Sequence, residues 1–405
     1  MSRIRFVIWF CLGLYVVAEC APGSLLESNS SVSLSDTSSP KAHANSDTSS
    51  KPSGLILRNR YFTKLELGGT VQFKAYYSGI TDRDGDKRLG MALRVFRIDL
   101  DAALSPHFGV LGQFRLDAND QQAGIESGLL YYSFNEFLGV RAGKVKRPFS
   151  QEALQSSKAL YTIERGELYQ NFLSKVTGYS MYDIGVVAYG GFVEDKQSVS
   201  YEAGIFNGKQ NDDPASDYGG QQYESSDKGL RAKDLVLRLS VSPYKLLKLE
   251  AGLSTKAAED QSDPAHYKLG INTAYEVGAD FAYSHLRLLG EVAWGDNHQG
   301  RDALILSGSS QFFAFYGTGI WREEYSRDRA SELVLKIEGL DPDFEPDAGK
   351  GTPNDGKLLY TFGSNFFFTP RVSIMADYSV LQAITKVVSE KKLIHSLGLL
   401  WRMSF

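Results

Sequence analysis

From about Leu65 to the C-terminal Phe405 the chain repeats in steps of two. Apolar and polar residues alternate in stretch after stretch, and the period of an amphipathic helix is missing. The run Asp234-Leu235-Val236-Leu237-Arg238-Leu239-Ser240-Val241 sets four aliphatics on one side and Asp234, Arg238 and Ser240 among the residues on the other. Glu332 to Glu338 and Arg371 to Tyr378 follow the same rule. An extended chain of this kind has one wholly apolar face and one face with ionised groups. In a soluble sandwich the apolar face meets a second sheet. In an outer-membrane barrel it meets lipid, while the polar face lines water.

Connection lengths separate these alternatives. The alternation predicts strands over 65–77, 91–104, 109–118, 124–134, 138–145, 180–191, 196–206, 232–243, 246–256, 268–283, 286–295, 311–323, 331–340, 358–368, 371–382 and 393–405. Turns after even-numbered strands are short, as at Ser105-Pro106-His107 and Thr369-Pro370. Connections after odd-numbered strands are longer and polar, most clearly 78–90, 146–179, 207–231 and 341–357. Short turns at one end and long loops at the other are the asymmetry of a bacterial outer-membrane barrel. The expected fold class is therefore all-β: a transmembrane antiparallel β-barrel of about 16 strands, the size that leaves an aqueous channel.

Composition fits once the barrel is in view. No internal run of about 20 apolar residues exists, which excludes a helical membrane protein. Aromatic residues are 12% of the chain, which excludes global disorder, and two cysteines among 405 residues make no disulfide scaffold. A net charge of −4 argues against a nucleic-acid partner. The polar wall and the loops dilute every apolar strand, so a modest 42% hydrophobic content is what such a barrel gives.

The N-terminus is read as an address. Arg3 and Arg5 precede the apolar run Phe6 to Val17, and Ala18, Cys20 and Ala21 follow, the three regions of a signal peptide over residues 1–20. An uncleaved anchor helix is the alternative. Val17-Ala18-Glu19-Cys20 half-matches a lipoprotein box, with Glu19 where a small residue belongs. Residues 21–60, rich in Ser, Asn and Thr, read as a flexible segment, and 61–405 as the barrel. At the other end Trp401, Met403 and Phe405 share one face of the last strand. A terminal aromatic so placed looks like the signal that barrel-assembly machinery reads. The alternative is a last strand buried in a soluble sheet.

One stretch carries a family likeness. Residues 138–165 include Gly143, Lys146, Pro148, Phe149, Ser150, Ser156, Ser157, Lys158, Glu164 and Arg165. This resembles the phosphate-selective porin O and P family, whose members carry a Gly-x-x-Lys-x-Pro-Phe-Ser-like run followed by Ser-Ser-Lys and Glu-Arg. Weaker likenesses lie at Gly204 to Gly208, Ser331 to Lys336 and Phe362 to Asn365. The resemblance implies a homotrimeric 16-stranded channel in a Gram-negative-type outer membrane, in contact with its lipid and passing small anionic solutes. It also implies that the third extracellular loop folds inward and narrows the pore. The chain departs from the family in its Ser-rich N-terminus and in a pore wall of mixed sign.

Charge would act in that loop. Across 140–179 seven basic residues, Arg141, Lys144, Lys146, Arg147, Lys158, Arg165 and Lys175, face three acids, Glu152, Glu164 and Glu167. A cationic constriction between low-dielectric walls concentrates anions. The competing reading is that these groups pair with acids and pin the loop. Arg141, Lys144, Lys146, Arg147, Lys158 and Arg165 are the candidates for anion selectivity. Alternation adds Arg97, Arg115, Arg238 and Lys336 as lumen-facing cations, with Lys74, Lys248, Arg287 and Arg402. Asp99, Asp101, Asp117, Glu202, Glu250, Glu291, Glu338 and Asp377 are the acids on the same face. Trp294, Trp321 and Trp401 suit an interfacial girdle.

Enzyme motifs are missing: there is no His-Glu-x-x-His, no Gly-x-Ser-x-Gly and no P-loop. The Asp82-Arg83-Asp84-Gly85-Asp86 run lacks the rest of a Ca²⁺-binding EF-hand loop. The expectation is a channel with no catalytic residues, no metal and no cofactor. A plugged structural barrel and an outer-membrane hydrolase are the alternatives.

Overall fold

In a computed structural model the chain is described over residues 55–57, 63–80, 88–117, 122–194, 197–208, 233–259, 269–297, 311–342, 355–385 and 393–405. The segments read as a signal peptide and as the flexible stretch (apart from residues 55–57), and the Asp82–Asp86 run, lie outside the described residues. Seventeen strands occur: β1 (Leu55–Leu57), β2 (Lys64–Ile80), β3 (Arg88–Ala103), β4 (Phe108–Asp117), β5 (Gln122–Ser133), β6 (Gly139–Lys146), β7 (Tyr182–Glu194), β8 (Gln197–Phe206), β9 (Asp234–Tyr244), β10 (Leu247–Glu259), β11 (Leu269–Tyr283), β12 (Leu286–Asp296), β13 (Gln311–Glu324), β14 (Ala330–Asp341), β15 (Asp355–Thr369), β16 (Val372–Thr385) and β17 (Leu393–Ser404).

Strands β2 to β17 form a closed antiparallel barrel of 16 strands, each paired with its sequence neighbours. Closure is made by β17 on β2, from Ile394↔Ile80 to Ser404↔Thr70. Every interior strand then has two partners, which is how a sheet can stand in hydrocarbon without orphaned backbone groups. The last residue completes the seam: Phe405 N–H donates to the Gly69 carbonyl and Gly69 N–H to the Phe405 carbonyl. The Phe405 ring lies where a side chain at position 69 would be. Sequence alternation did not foresee β1, which pairs with Leu65–Leu67 on the stretch of β2 that β17 does not reach.

The burial pattern is inverted relative to a soluble protein. Along β9, Leu235, Leu237 and Leu239 are 47–48% exposed, while Asp234, Arg238 and Ser240 are 2–7% exposed. Polar groups are enclosed, and the aliphatics face out. A Lys or Arg on the apolar face would cost about 2–4 kcal/mol at the bilayer midplane, so the alternation is enforced residue by residue. No helix among the described residues is long and apolar enough to cross a membrane. Trp294, stacked on Tyr275, and Trp321 and Trp401 are exposed on the apolar face toward the strand ends, which suits the two interfaces.

The chain between β6 and β7 is the longest described connection. It holds a short helix α1 (Gln151–Leu154), then α2 (Tyr169–Asn171), which runs on into a single π turn at Phe172–Val176. Ser150 caps α1, its Oγ accepting from the Ala153 N–H. Phe149, Tyr169, Phe172, Leu173 and Tyr179 form a buried cluster with Val187, Phe206, Val236, Phe312 and Tyr316 of the strands. This segment therefore shares an apolar core with residues of β7, β8, β9 and β13.

Candidate functional site

The 147–181 segment is held on the polar face by ties to strands around the barrel. Arg147 donates to Asp183 of β7 at 2.6 Å and to Asp234 of β9 at 2.5 Å. Lys336 of β14 pairs with Glu152. Ser157 accepts from Gln72 of β2 and Arg97 of β3, and Lys158 meets Asp99 of β3 at 2.7 Å. Leu160 and Tyr161 accept from Arg402 of β17 and Arg287 of β12. The Ile163 N–H donates to Asp377 of β16, and Tyr169 O–H to Glu291 of β12 at 2.6 Å.

The candidates from sequence separate into three groups. Arg141 is paired with Glu202 at 2.5 Å, Arg238 with Glu250 at 2.6 Å and Glu202 at 3.5 Å, and Lys158 with Asp99. Lys336 is buried between Glu152 and Glu338. In these the charge is locally balanced. Arg147 corrects the selectivity expectation outright. Its side chain has no exposed surface, it sits between two aspartates, and its guanidinium lies 5.4 Å from the Phe206 ring centre. Burial opposes its charge, but Asp234 and Asp183 outweigh burial and hold Arg147 above its ordinary value. It ties the start of the segment to β7 and β9. Lys144 is a second correction. It pairs with Gly128 and Ile184, on the apolar face, and its Nζ donates to the Ile125 carbonyl.

The third group is different. Lys146 Nζ donates to the Ala153 carbonyl at 2.7 Å, and Arg165 Nη1 donates to the same oxygen at 2.8 Å. Arg165 also donates to the Glu152 carbonyl. A carbonyl fixes a cation's position without cancelling its charge. Arg165, Arg97 and Arg115 all act electrostatically on Lys146, with Glu126 the acid among them. Glu126 is shared, at 3.4 Å from Arg115 and 3.9 Å from Arg97. The result is a cluster of four basic side chains in which Arg97 and Arg115 share Glu126 and Arg97 also pairs with Asp99 at 2.8 Å.

Two groups on this face escaped the alternation. Arg94 is the extra residue of a β-bulge between the pairs Gln72↔Val95 and Phe73↔Leu93. It turns to the polar face, where it bonds Gln72 at 2.5 Å and Glu164 at 3.0 Å. Glu126 is the extra residue of a second bulge, between Gln113↔Ser127 and Phe114↔Ile125. A strict period of two puts the residue of a bulge on the wrong face, and neither bulge carries a Gly to announce it.

Glu164 supplies a pH-dependent tie. Burial raises its carboxyl, but Arg94 and Lys74, the latter at 2.6 Å, outweigh that and hold it below the ordinary 4.5. The contact is therefore complete above the ordinary value and is lost as pH falls through the lower folded value. The protection of the 162–168 amides, relative to the intrinsic exchange rate at each pH, is expected to be high and constant above that range and to fall below it. Glu164→Gln should exchange fast throughout.

A closed antiparallel barrel of 16 strands, with charged groups on the enclosed face and aliphatics on the other, is the architecture of a porin, an outer-membrane channel. A family model described as phosphate-selective porin O and P matches residues 65–317. The chain belongs to that family. No curated protein matches it in sequence. Among solved structures it is similar to an anion-selective porin from Comamonas acidovorans, at 12% identity and TM-score 0.57, covering 84% of this chain and 99% of that one. It is also similar to the outer membrane channel DcaP of Acinetobacter baumannii, at 13% identity and TM-score 0.55, covering 84% and 97%. A third is the trimer form of OmpT of Vibrio cholerae, at 13% identity and TM-score 0.51, covering 84% and 99%.

Proposed function

We propose that this porin is a passive diffusion channel that prefers small anions, phosphate-type anions among them, and takes no part in catalysis. The observation that carries the reading is the cluster of Lys146, Arg165, Arg97 and Arg115: the first two are tethered to a neutral carbonyl, Arg97 and Arg115 share Glu126, and Arg97 also pairs with Asp99, so four basic groups stand against two carboxylates. In the same reading the 147–181 segment is the inward-folded constriction loop. Its support is geometric: one segment reaches strands on opposite sides of a closed barrel from a single face, as an interior segment does. Residues 1–20 act as a signal peptide, and the exposed Trp401, Met403 and Phe405 as the assembly signal. The working form is a homotrimer, as the trimer form of the Vibrio cholerae relative suggests. A salt gradient across a planar bilayer tests the channel reading. The reversal potential is expected on the anion side, and cation preference or absent conductance would overturn it. Lys146→Glu with Arg165→Glu should lower the anion-to-cation permeability ratio by roughly threefold or more, because the field at a constriction is set by its nearest uncancelled charges.

A further inference from the structure

The polar face holds a second chamber of opposite character. A cavity of about 220 Å³ lies between residues 162–167 and strands β2 and β14 to β17. The wall recedes there because its side chains are small. Gly363, Asp377 and Gly398 stand in one cross-strand row, and Thr361, Ser379, Ser396 and Ser78 in the next. Ile163 closes the floor by packing with Met375 and Leu400.

The lining carries Glu164, Glu167, Glu338 and Asp377 against Lys74 and Lys336. Both lysines are already engaged: Lys74 by Glu164, and Lys336 by Glu152, which does not line the cavity. Glu167 and Asp377 have no ion-pair partner among the described residues. Asp377 is 7% exposed; its Oδ2 accepts from the Ile163 N–H at 2.5 Å, while its Oδ1 is buried with no hydrogen-bond partner among the described residues. Glu167 is lifted above its ordinary value by burial and by Glu164 beside it. Crowded carboxylates short of a counter-charge favour whatever cation enters.

We propose that this chamber is a binding subsite for the ammonium group of a small organic amine. A primary ammonium brings three N–H donors and no acceptor. The chamber offers the complement: Asp377, with one carboxylate oxygen lacking a hydrogen-bond partner, Glu167, and the hydroxyl row, where Thr361 and Ser379 lie 3.0 Å apart. A bare divalent ion would need six to eight oxygens in one shell, and no such group of ligands occurs among the described residues. An anion would meet a net negative wall.

The test is calorimetric and independent of conductance, so that failure of the channel reading leaves it standing. Full-length protein in detergent at mildly alkaline pH is titrated with putrescine and, separately, with neutral butanediol. Saturable heat is expected with putrescine alone. The variant Asp377→Asn with Glu167→Gln should weaken binding at least tenfold. Ser396→Leu, which fills the chamber without touching a charge, should do the same, and heat-dependent gel mobility reports whether each variant is folded. Absent putrescine binding, equal heat from butanediol, or undiminished binding in folded variants would each overturn the proposal.

Discussion

Arg147→Ala is expected to unfold in urea with a free energy lower by about 3–5 kcal/mol, the cost of leaving buried charges uncompensated. Two buried aspartates share this one guanidinium: Asp183 and Asp234 are 0% and 2% exposed, and without it Asp183 keeps the N–H groups of Ile184 and Gly208 but no cation at ion-pair distance among the described residues. The same change should release the start of the 147–181 segment, so its amides should exchange faster than those of the strands. A triple variant, Arg147→Met with Asp183→Asn and Asp234→Asn, removes all the charges together and should recover most of the loss. If Arg147→Ala melts like the parent, or the triple variant is worse than the single, the pinning role is wrong.

Gly143→Ala should be nearly as damaging, for a reason of backbone geometry. Gly143 has φ +136°, a conformation other residues avoid, and a Cβ there would stand 2.2 Å from the Gly128 carbonyl oxygen and 2.8 Å from the Leu129 Cα. The dihedral strain alone is about 1–3 kcal/mol, and the clash is with backbone that no rotamer relieves. Gly317→Ala is the matched control. It lies on a barrel strand with open space around it, so its urea midpoint should stay within experimental error of the parent. Equal effects from the two substitutions would show that barrel glycines are generally intolerant and that the positive φ at Gly143 has no special part.

Gly143 also explains why the stretch from 143 to 165 carries a family signature. The glycine lies within β6, paired with Leu129 and Gly185, in a backbone conformation that other residues avoid. Lys146 is fixed by a carbonyl, Phe149 anchors the apolar core, Ser150 caps α1, and Ser157 and Lys158 dock on β3. The motif is a set of instructions for folding one segment, and the charges of the candidate site are carried along with it.

Most of the barrel was legible in the sequence. A period of two, enforced by lipid on one side and water or polar partners on the other, assigned a face to nearly every strand residue. The alternating runs gave the strand count, and the alternating connection lengths gave the barrel, because an antiparallel barrel has two different ends. What the alternation could not settle lay in two places. Arg94 and Glu126 reached the polar face through bulges, which shift the parity of a strand without a compositional mark. The fate of the loop charges depended on what stood opposite them across the barrel. Arg147 faces Asp183 and Asp234, which are 36 and 87 residues further along the chain. Lys146 and Arg165, equally basic in the sequence, donate to backbone carbonyls of residues 152 and 153 and make no ion pair among the described residues. Local sequence determined where a charge lies along its strand or loop, and the closure of the barrel decided which charges are cancelled. Cancellation depends on distances of 2.5–4 Å between groups that come together only when the last strand meets the first.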